Sequence, residues 1–585
     1  MSAPLTVELA FAGIAVGSAA ALSGIGLVVC YRATGVLNLA QGAIAMVTAY
    51  ALRQCVVVWH WPRPLALCAC LLVFAPGLGW ALDALVFRRL QRRGAGTVHL
   101  LVACLGVFVL LVGAAYLLWG PVPRLDAPKV LPFSALWVVL VLAAGVAAVS
   151  RFTGFGRQVR AVVDNRGLAE LAGVDADRVS SVGWAFSAFT AGLTGALLAP
   201  ELRLDPFGLP LLVMETVAVA VLAGLRSLTL AVVSALLLGV VQSELTQLQS
   251  PTWHAVSANV FVLALLAGGL WLLPRGSETR PVPPGPPIPA DDADRFFPVR
   301  VAVMALLLIP FAFRPDDLRA ALQVPALALV LLSVVVVTGY GGQISLGQAG
   351  YAGVGALLTG ALAASMPPLL ALACAVLIAA PLGLLVGWPA IRRRGLALAL
   401  TTFAVGTAFS RLVFEQPDLT GGLVLDRGTG GPLADDRFFY GLELALLLCA
   451  LTVVRLLRRG PTGRALGAMR DHEPGAAAAG VAVPRLKLGA FVLGAALAAL
   501  GGGLLALGGQ AFDASAFDPV QGLVWFAAVI VLGPDSAVGA LLAAALLTAL
   551  PTGPAIALLG LLALLPLPPG GLAAFPRQWL TPTHA

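Results

Sequence analysis

Two short motifs place polar side chains at the beginning of apolar segments, where they could recognise a polar solute. The motifs read NLAQG (residues 38–42) and SLGQAG (residues 345–350). Asn38 and Gln41 are three residues apart, as are Ser345 and Gln348, so each pair shares one face of a helix. Because an unpaired amide is costly in lipid, these side chains should face protein or a water-filled path. They either line a translocation path or hold packed helices together by hydrogen bonds, and the sequence leaves both interpretations open.

Two polar islands between apolar runs are the second feature that could do chemistry, here the recognition of a partner. The first island spans residues 151–178 and reads RFTGFGRQVRAVVDNRGLAELAGVDADR. The second island spans residues 460–487 and reads GPTGRALGAMRDHEPGAAAAGVAVPRLK. They align without gaps at an offset of 307 residues (464 minus 157). The candidate docking residues are Gly156, Arg157, Arg160, Asp164, Glu170 and Gly173 in the first island, and Gly463, Arg464, Asp471, Glu473 and Gly480 in the second.

Each island is predicted to fold as short helices at the membrane face. The shared pattern G-R-x-x-x-A-x-x-D, with Gly-Val further on, predicts helices over residues 157–165 and 167–172 of the first island. Gly173 should end the second of these helices, and Gly480 should do the same in the second island, because glycine readily adopts the left-handed conformation at helix ends. Such helices suit docking in a partner's groove. We favour docking over an ordinary solvated loop with excess positive charge.

No constellation of side chains suggests catalysis, so we expect no catalytic residue, no metal and no cofactor bound by this chain. The five histidines are far apart in sequence, and the seven cysteines lie mostly in apolar runs. No GxxxxGK[ST] motif occurs, so the sequence has no phosphate loop for ATP. The acids Asp83, Glu215 and Glu443 lie near the ends of apolar runs and are expected to be interfacial. If the chain pumps a solute, the energy should arrive from a partner.

The elements that must position these residues are transmembrane helices. The chain has 585 residues, of which 59% are hydrophobic and 11% are charged, against about 25% charged in soluble domains. Its mean hydropathy is +0.96. The net charge of +8 fits excess arginine in cytoplasmic loops better than nucleic-acid binding. Repeated apolar runs of about 20 residues predict an all-α polytopic membrane protein with about 17–19 transmembrane helices.

The order of runs and linkers predicts two homologous helical bundles. Residues 276–297 are rich in proline and charge, so they should form an exposed cytoplasmic linker between a first domain, residues 1–275, and a second, residues 298–585. The NLAQG and SLGQAG motifs align at the same offset of 307 residues (345 minus 38) as the islands. With the basic loops in the cytosol, and with an additional leading helix at residues 299–313, both halves have the same orientation. The repeat is therefore predicted to be parallel.

At these residues the sequence resembles the inner-membrane permeases of branched-chain amino acid ABC transporters. The first half is similar to the shorter permease type, whose signature is close to Asn-Phe-Ala-His-Gly; it reads NLAQG here, with Gln41 in place of the frequent histidine. The second half is similar to the longer type through SLGQAG, IRRRGLALALTTFAVG (residues 391–406) and DLTGG (residues 418–422). Both islands resemble the cytoplasmic loop with which this family docks on its ATPase subunits.

The resemblance implies a multi-pass protein of the bacterial inner membrane that translocates a branched-chain or related amino acid. The implied partners are two cytosolic ABC ATPase subunits, an extracytoplasmic solute-binding protein, a small polar solute and membrane lipid, without nucleic acid. Closure of the ATPases would push on both islands and alternate access along a path between the halves. The alternatives are a permease for urea, short amides or another small polar solute, an ion-coupled secondary carrier, and a non-transporting scaffold or receptor.

Overall fold

The computed structural model describes residues 3–92, 97–128, 135–164, 166–200, 204–210, 217–225, 227–246, 259–264, 318–319, 321–392, 395–421, 423–427 and 431–564. The predicted linker and the leading helix at residues 299–313 lie outside these residues. The described residues form two compact units. The first unit contains the residues up to 264 together with Ile556–Leu564, and the second contains the residues from 318 to 555.

Within the described ranges, all regular secondary structure is helical. In the part of the chain that the structure describes, eleven helices are long and apolar enough to cross a membrane, and there are twelve such spans if the bent pair Leu136–Phe152 and Gly154–Val163 is one of them. Three further apolar helices are shorter. The prediction of an all-α polytopic membrane protein is therefore confirmed. The predicted total of about 17–19 spans includes runs outside the described residues and stays a prediction.

The helices of the first unit are α1 (Ala3–Thr34), α2 (Gln41–Arg53), α3 (Arg63–Cys68), α4 (Ala75–Leu82), α5 (Arg88–Arg92), α6 (Thr97–Trp119), α7 (Ala135–Phe152), α8 (Gly154–Asp164), α9 (Arg166–Leu171), α10 (Ala176–Leu198), α11 (Val217–Leu222) and α12 (Leu228–Leu245). Short π-helical turns occupy Gln54–Val58, Ala69–Phe74 and Asp83–Phe87. Two of these turns join α3, α4 and α5 into a single span, Arg63–Arg92.

The later helices are α13 (Gln323–Val334), α14 (Gln348–Ala363), α15 (Pro368–Ala379), α16 (Leu382–Arg392), α17 (Gly395–Phe409), α18 (Pro417–Thr420), α19 (Asp436–Arg459), α20 (Pro461–Asp471), α21 (Glu473–Ala478), α22 (Val483–Gly509), α23 (Pro519–Leu532), α24 (Ala537–Ala549) and α25 (Thr552–Ala563). Two π-helical turns follow α13 and α17, at Val335–Tyr340 and Ser410–Phe414. Short 3-10 helices occupy Pro432–Ala434 and Ala514–Phe517.

The same close helix contact occurs in each unit. Gly195 of α10 lies so near α2 that a Cβ added to it would be 2.2 Å from the carbonyl oxygen of Ala45. Gly502 of α22 lies equally near α14, where a Cβ would be 1.9 Å from the carbonyl oxygen of Ala352. Both residues of the second pair follow those of the first by 307 positions. The duplication is therefore visible in helix packing as well as in sequence.

Substitution of Gly502 tests this contact. Gly502→Ala is expected to lower the free energy of unfolding of the second unit by about 1–3 kcal/mol, because a methyl group forced into a packed interface displaces backbone. Gly489→Ala is the matched control on the same helix, since nothing lies within 4 Å of a Cβ at that position. Thermal unfolding of both variants in detergent measures the difference. Equal midpoints for the two variants would show that α22 and α14 do not pack this closely.

In each unit an interrupted segment precedes one polar motif. The first interrupted segment (residues 35–40) follows α1, and the second interrupted segment (residues 341–347) follows the π-helical turn after α13. Each contains a glycine in the left-handed region, Gly35 with φ 71° and Gly342 with φ 65°. Residues 36–40 and 343–347 are buried. Non-helical backbone is tolerated inside a membrane protein where protein covers it, so these breaks place the polar motifs in the interior.

An isolated backbone bridge also repeats, at the face predicted to be extracytoplasmic. Arg124 pairs with Leu204 in the first unit, and Val424 pairs with Ala511 in the second. The positions of Leu204 and Ala511 differ by 307 residues, whereas those of Arg124 and Val424 differ by 300. The bridge has therefore kept its place in the fold while one loop changed length.

An ion pair anchors the loop beyond α6. The guanidinium of Arg53, the last residue of α2, donates hydrogen bonds to both carboxylate oxygens of Asp126, with Nε 2.7 Å from Oδ1. Hydrogen bonding from Arg53 holds the pKa of Asp126 below its ordinary value. The carboxylate therefore stays ionised at neutral pH, and the pair ties this loop to the end of α2.

Candidate functional site

Each polar island begins with a short helix that turns away from the span before it. In the first island, α8 is bent by 82° from α7. Gly156 permits this turn, because a Cβ there would lie 2.3 Å from the carbonyl oxygen of Ser150. In the second island, a Cβ at Gly463 of α20 would lie 2.1 Å from the carbonyl oxygen of Arg458. Among the predicted docking residues, Gly156 and Gly463 thus serve the local turn.

A second short helix follows in each island and ends as the sequence predicts. Gly173 (φ 82°) closes α9, and Gly480 (φ 84°) closes α21. The N–H of each glycine donates to the carbonyl three residues back, at 3.0 Å and 3.1 Å. The N–H groups of Val174 and Val481 donate to the carbonyls five residues back, at 2.9 Å and 3.0 Å. This paired pattern is the Schellman end of a helix, which requires a residue that accepts positive φ.

The two islands bury the same face and expose the other. In each island, a cluster of apolar side chains packs the short helices onto the span that follows. The shared buried positions, each separated by 307 residues, are Val162 and Met469, Ala169 and Ala476, and Ala176 and Val483. The constant offset therefore extends to the packing of the islands, and several described side chains on the opposite face are exposed.

Most of the charged docking candidates lie on that opposite face. Exposed side chains belong to Arg157, Arg160, Glu170, Arg464 and Asp471. Glu473 differs, because its carboxylate is held at 2.8 Å by the ammonium of Lys487. Asp164 is the last residue of α8, and its side chain is outside the described part of the chain. The structure thus places the exposed arginines on the short helices, on the side that does not pack against the bundle.

An ion-pair network holds the short helices of the first island against the bundle. Arg166 of α9 pairs with Asp177 in the first turn of α10, with Nη2 2.6 Å from Oδ1, and with Glu170 at 2.9 Å. Arg92, at the end of α5, reaches the other oxygen of Asp177 at 2.6 Å. Three helices are therefore tied together through one carboxylate.

A buried carboxylate extends this network into the span Arg63–Arg92. Asp83 is fully buried and accepts hydrogen bonds from the hydroxyls of Ser180 and Ser181, each at 2.7 Å. Arg88 adds an ion pair at 3.2 Å. Asp83 was expected to be interfacial; its depth relative to the membrane stays a prediction, and the surrounding protein buries its side chain. The span presents Asp83 to α10, where the two hydroxyls and Arg88 offset the cost of burying its charge.

The second island has a corresponding ion pair between its short helix and the next span, with the positions of the positive and negative charges exchanged. Glu473 of α21 pairs with Lys487 of α22, whose side chain is fully buried. Position 473 corresponds to Arg166 and position 487 corresponds to Ser180 at the offset of 307 residues. The short helix therefore carries the cation in the first unit and the anion in the second. Sequence reasoning missed Arg166, Asp177 and Lys487, although a lysine at the start of an apolar run was a usable signal.

A cleft of about 500 Å³ borders the first island beside α9. Its walls include Arg166, Glu170 and Asp177, so they carry both positive and negative groups. Because these groups are already paired with one another, an entering side chain would meet a balanced polar surface rather than a strong field of one sign.

The polar motif of the first unit forms a buried hydrogen-bonded cluster. Asn38 Nδ2 donates to Ser187 Oγ at 3.2 Å, and that hydroxyl donates to Gln41 Oε1 at 3.0 Å. Gln41 Nε2 donates to the carbonyl oxygen of Ser23 at 2.9 Å. Asn38 is 0% and Gln41 is 2% exposed. Both amides therefore connect α10 and α1 to the start of α2.

The second unit has a matching cluster around Gln348. Ser333 Oγ donates to Gln348 Oε1 at 3.2 Å, and Gln348 Nε2 donates to Ser345 Oγ at 3.2 Å. The N–H of Leu346, between them, donates to Thr402 Oγ1 at 2.9 Å. Ser345 and Gln348 are buried. In this conformation the four motif residues bond to protein, which is the arrangement that the hydrogen-bond interpretation requires.

Substitution of the two glutamines separates the interpretations. Gln41→Leu and Gln348→Leu are each expected to lower the free energy of unfolding by about 1–2 kcal/mol, since each removes interhelical hydrogen bonds inside the membrane. Uptake should fall only in proportion to the folded fraction. Thr48→Val is the control on α2, because its hydroxyl bonds within its own helix, to the carbonyl of Ile44 at 2.8 Å. Loss of uptake with an unchanged melting midpoint would instead assign these residues to the path.

Glu443 was also expected to be interfacial, and its depth relative to the membrane likewise stays a prediction. Glu443 of α19 is fully buried, and neither of its carboxylate oxygens has a hydrogen-bond partner among the described residues. Arg427 lies nearby but donates elsewhere, to Asp436 at 2.7 Å and to the carbonyl oxygen of Gly508 at 2.8 Å. Glu215 lies outside the described residues. Glu443 therefore stands as a buried acidic group that the clusters above do not use.

Comparison with known proteins identifies relatives for both halves of the sequence. A family described as "Branched-chain amino acid transport system / permease component" matches residues 9–266 and 318–559. The high-affinity branched-chain amino acid transport system permease protein LivM of Salmonella typhimurium is 29% identical over 284 residues, which cover 42% of this chain and 67% of LivM. The corresponding LivH of Escherichia coli K12 is 25% identical over 297 residues, covering 46% of this chain and 94% of LivH. A probable LivH of Methanocaldococcus jannaschii is 26% identical over 275 residues, covering 44% and 87%.

Proposed function

Since the chain belongs to the family of branched-chain amino acid ABC transporter permeases, we propose that it imports a branched-chain or related amino acid, using ATP hydrolysed by two separate cytosolic subunits. It is a transport subunit rather than an enzyme, and it is a multi-pass membrane protein, of the inner membrane in bacteria. The family model matches two successive regions, so the chain is a fused pair of permease domains. The finer points, namely the substrate, the number of ATPases and the docking residues, are the proposal.

The observation that carries the proposal is the pair of equivalent islands. Each unit presents two short helices that bury the same positions and turn exposed arginines, Arg157 and Arg464, away from the bundle. The first island also exposes Leu171, which is 87% accessible, on the helix that Gly173 ends. Exposed basic and apolar side chains on two adjacent short helices suit insertion into a groove of a soluble partner. Two such surfaces support two ATPase subunits, one for each island.

The substrate part of the proposal rests on what the relatives transport. The LivM and LivH relatives are high-affinity branched-chain amino acid permeases by name. We extend this substrate class to the present chain, together with an extracytoplasmic solute-binding protein that delivers the amino acid. Urea, short amides and other small polar solutes are the competing substrates, because the buried Asn, Gln and Ser side chains carry no feature specific to an aliphatic side chain.

Reconstitution tests the proposal directly. The chain is purified with ATPase and solute-binding proteins encoded nearby and placed in proteoliposomes with ATP inside or omitted. We expect ATP-dependent uptake of labelled leucine that excess isoleucine or valine suppresses and excess urea does not. Suppression by urea with no effect of valine would replace branched-chain amino acids by urea and short amides as the substrate class. Failure of any ATPase to copurify would overturn the assignment of partners.

The buried Glu443 supports one competing mechanism, in which an ion gradient drives uptake. A buried carboxylate without hydrogen bonds is what a proton- or sodium-coupled carrier uses. That mechanism predicts uptake that survives without ATP, collapses with the gradient and is lost in Glu443→Gln. The ATP-driven mechanism predicts that Glu443→Gln keeps full uptake as long as it folds, so the same proteoliposomes decide between them.

A further inference from the structure

In the second unit, one side chain of the island touches the interrupted segment directly. Arg470, near the end of α20, donates a hydrogen bond from Nη1 to the carbonyl oxygen of Gly339. Its aliphatic stem lies against Gly342, where an added Cβ would be 2.7 Å from Arg470 Cγ. Gly342 has φ 65°, so it is the residue at which the chain changes direction into the interrupted segment. Arg470 therefore both bonds to this turn and packs against it.

The turn is held from its other side as well. A Cβ at Gly339 would lie 1.8 Å from the carbonyl oxygen of Pro534, in the loop after α23. Arg458, the residue before the end of α19, donates to the carbonyl oxygen of Asp535 at 3.2 Å. The guanidinium of Arg458 also lies over the ring of Tyr340, 5.1 Å from its centre. With contacts on both sides, the turn cannot slide past α20 without breaking the bond from Arg470.

This turn leads directly into the buried polar cluster. Ser345 lies three residues after Gly342, and residues 343–347 are buried without helical structure. Ser345 is bonded to Gln348 at the start of α14. A displacement of α20 therefore reaches these polar side chains through a few residues of non-helical backbone.

Among the described residues of the first unit, the positions equivalent to Arg470 and Gly342 do not form the corresponding link. Position 163, which corresponds to Arg470, is Val163, and its side chain is 48% exposed. A Cβ at Gly35, the counterpart of Gly342, would meet nothing within 4 Å. α8 reaches the end of α1 through apolar packing in the cluster that contains Ala33 and Val162. Apolar packing has no preferred direction, so it holds the turn less specifically than a hydrogen bond with a fitted stem.

We propose that Arg470 is a positioning residue that couples movement of the second island to the polar segment containing Ser345 and Gln348, and that Val163 supplies no equivalent in the first unit. This inference rests on the proposed function, since the movement is the one that a docked ATPase would impose. The two halves then couple unequally to the motor. Loss of Arg470 should separate ATP hydrolysis from solute movement without releasing the ATPase.

The test uses Arg470→Met and Val163→Ala in the chain assembled with its ATPase and solute-binding partners. Met keeps an aliphatic stem beside Gly342 and removes only the donor, so it is expected to fold. We expect Arg470→Met to retain ATPase association and ATP hydrolysis while leucine uptake per ATP falls at least about tenfold, the scale of a typical coupling free energy. Val163→Ala should leave that ratio unchanged, and Arg470→Lys, which restores a charged donor, should recover part of it.

Three outcomes would overturn the inference. Uptake per ATP equal to that of the unsubstituted chain would show that the bond to Gly339 transmits nothing. Joint loss of ATPase association would make Arg470 a docking residue instead. An equal defect in Val163→Ala would remove the difference between the units. Failure of the unsubstituted chain to copurify an ATPase is a separate result, because it rejects the proposed function itself.

Discussion

Replacement of Arg157 and Arg464 by glutamate in one chain is expected to abolish copurification of the ATPase subunits while membrane insertion is retained. Both arginines are exposed on the face of the islands that does not pack against the bundle. A hydrogen bond to a charged group contributes about 1.5–3 kcal/mol, so loss of two such bonds weakens association at least about 100-fold. Reversal of the charge adds repulsion from the groups that had faced each arginine. Size-exclusion chromatography of the detergent-solubilised complex measures the bound fraction.

The single variants and a control make this prediction sharper. Arg157→Glu or Arg464→Glu alone should leave partial association, because the other island keeps an ATPase at high effective concentration. Arg89→Glu is the control, since Arg89 is an exposed arginine at the end of another span and outside both islands. Association that persists in the double variant would mean that the islands are ordinary solvated loops.

The sequence was sufficient for the membrane architecture and for the shape of the islands. Long apolar runs can only be satisfied as helices in a bilayer, so the fold class depends on composition more than on detailed packing. The ends of the short helices were predictable for a local reason. Gly173 and Gly480 adopt positive φ, and glycine does this at little cost, so the residue type alone marks the end. The constant offset then predicted that both islands share one structure.

The charged contacts were not predictable, because they depend on partners that are distant in sequence. Asp83 is fully buried beside Ser180, which lies 97 residues later in the chain. Nothing in the sequence around Asp83 indicates that partner. The ion pair that holds the short helix of the second island was not predictable from the sequence for another reason. Alignment places Glu473 opposite Arg166, which reads as a lost charge, although both residues fasten a short helix to the span that follows. When the two charges of an ion pair are exchanged between repeats, the aligned positions no longer carry the same residue type, so alignment of the repeats does not reveal the pair.

The polar motifs were placed correctly in the interior, but their partners were not foreseen. Gln41 bonds to a hydroxyl on α10 through Ser187, and Gln348 bonds to Ser333 on α13. Both units therefore hold the glutamine from the helix before the interrupted segment, through Ser23 of α1 and Ser333 of α13, and the first unit adds Ser187 of α10. The prediction that each pair shares one helix face was wrong, because Asn38 and Ser345 lie in the interrupted segments before α2 and α14. The choice of partner depends on how the neighbouring helices cross.

Replacement of Lys487 by methionine is expected to destabilise the second unit more than any other single change considered above. Lys487 is fully buried, and its ammonium lies 2.8 Å from the carboxylate of Glu473, which is itself only 14% exposed. Removal of one partner from a buried ion pair leaves an uncompensated charge and costs about 3–5 kcal/mol. Because α21 would then detach from α22, the exposed face of the second island should lose its orientation as well. Thermal unfolding in detergent and protease accessibility of residues 460–480 measure the two effects.

Two further variants show whether the ion pair is the cause. Lys487→Met combined with Glu473→Gln should recover most of the stability, because no unpaired charge stays buried, so the double-mutant cycle should give a large coupling energy. Ser180→Ala is the matched change in the first unit. It should cost only about 1–3 kcal/mol, the penalty for one missing bond to a buried acceptor, since Asp83 keeps Ser181 and Arg88. Equal losses for Lys487→Met and for the double variant would mean that Lys487 stabilises α22 through contacts other than its ion pair with Glu473, and the proposed exchange of charges would then be incorrect.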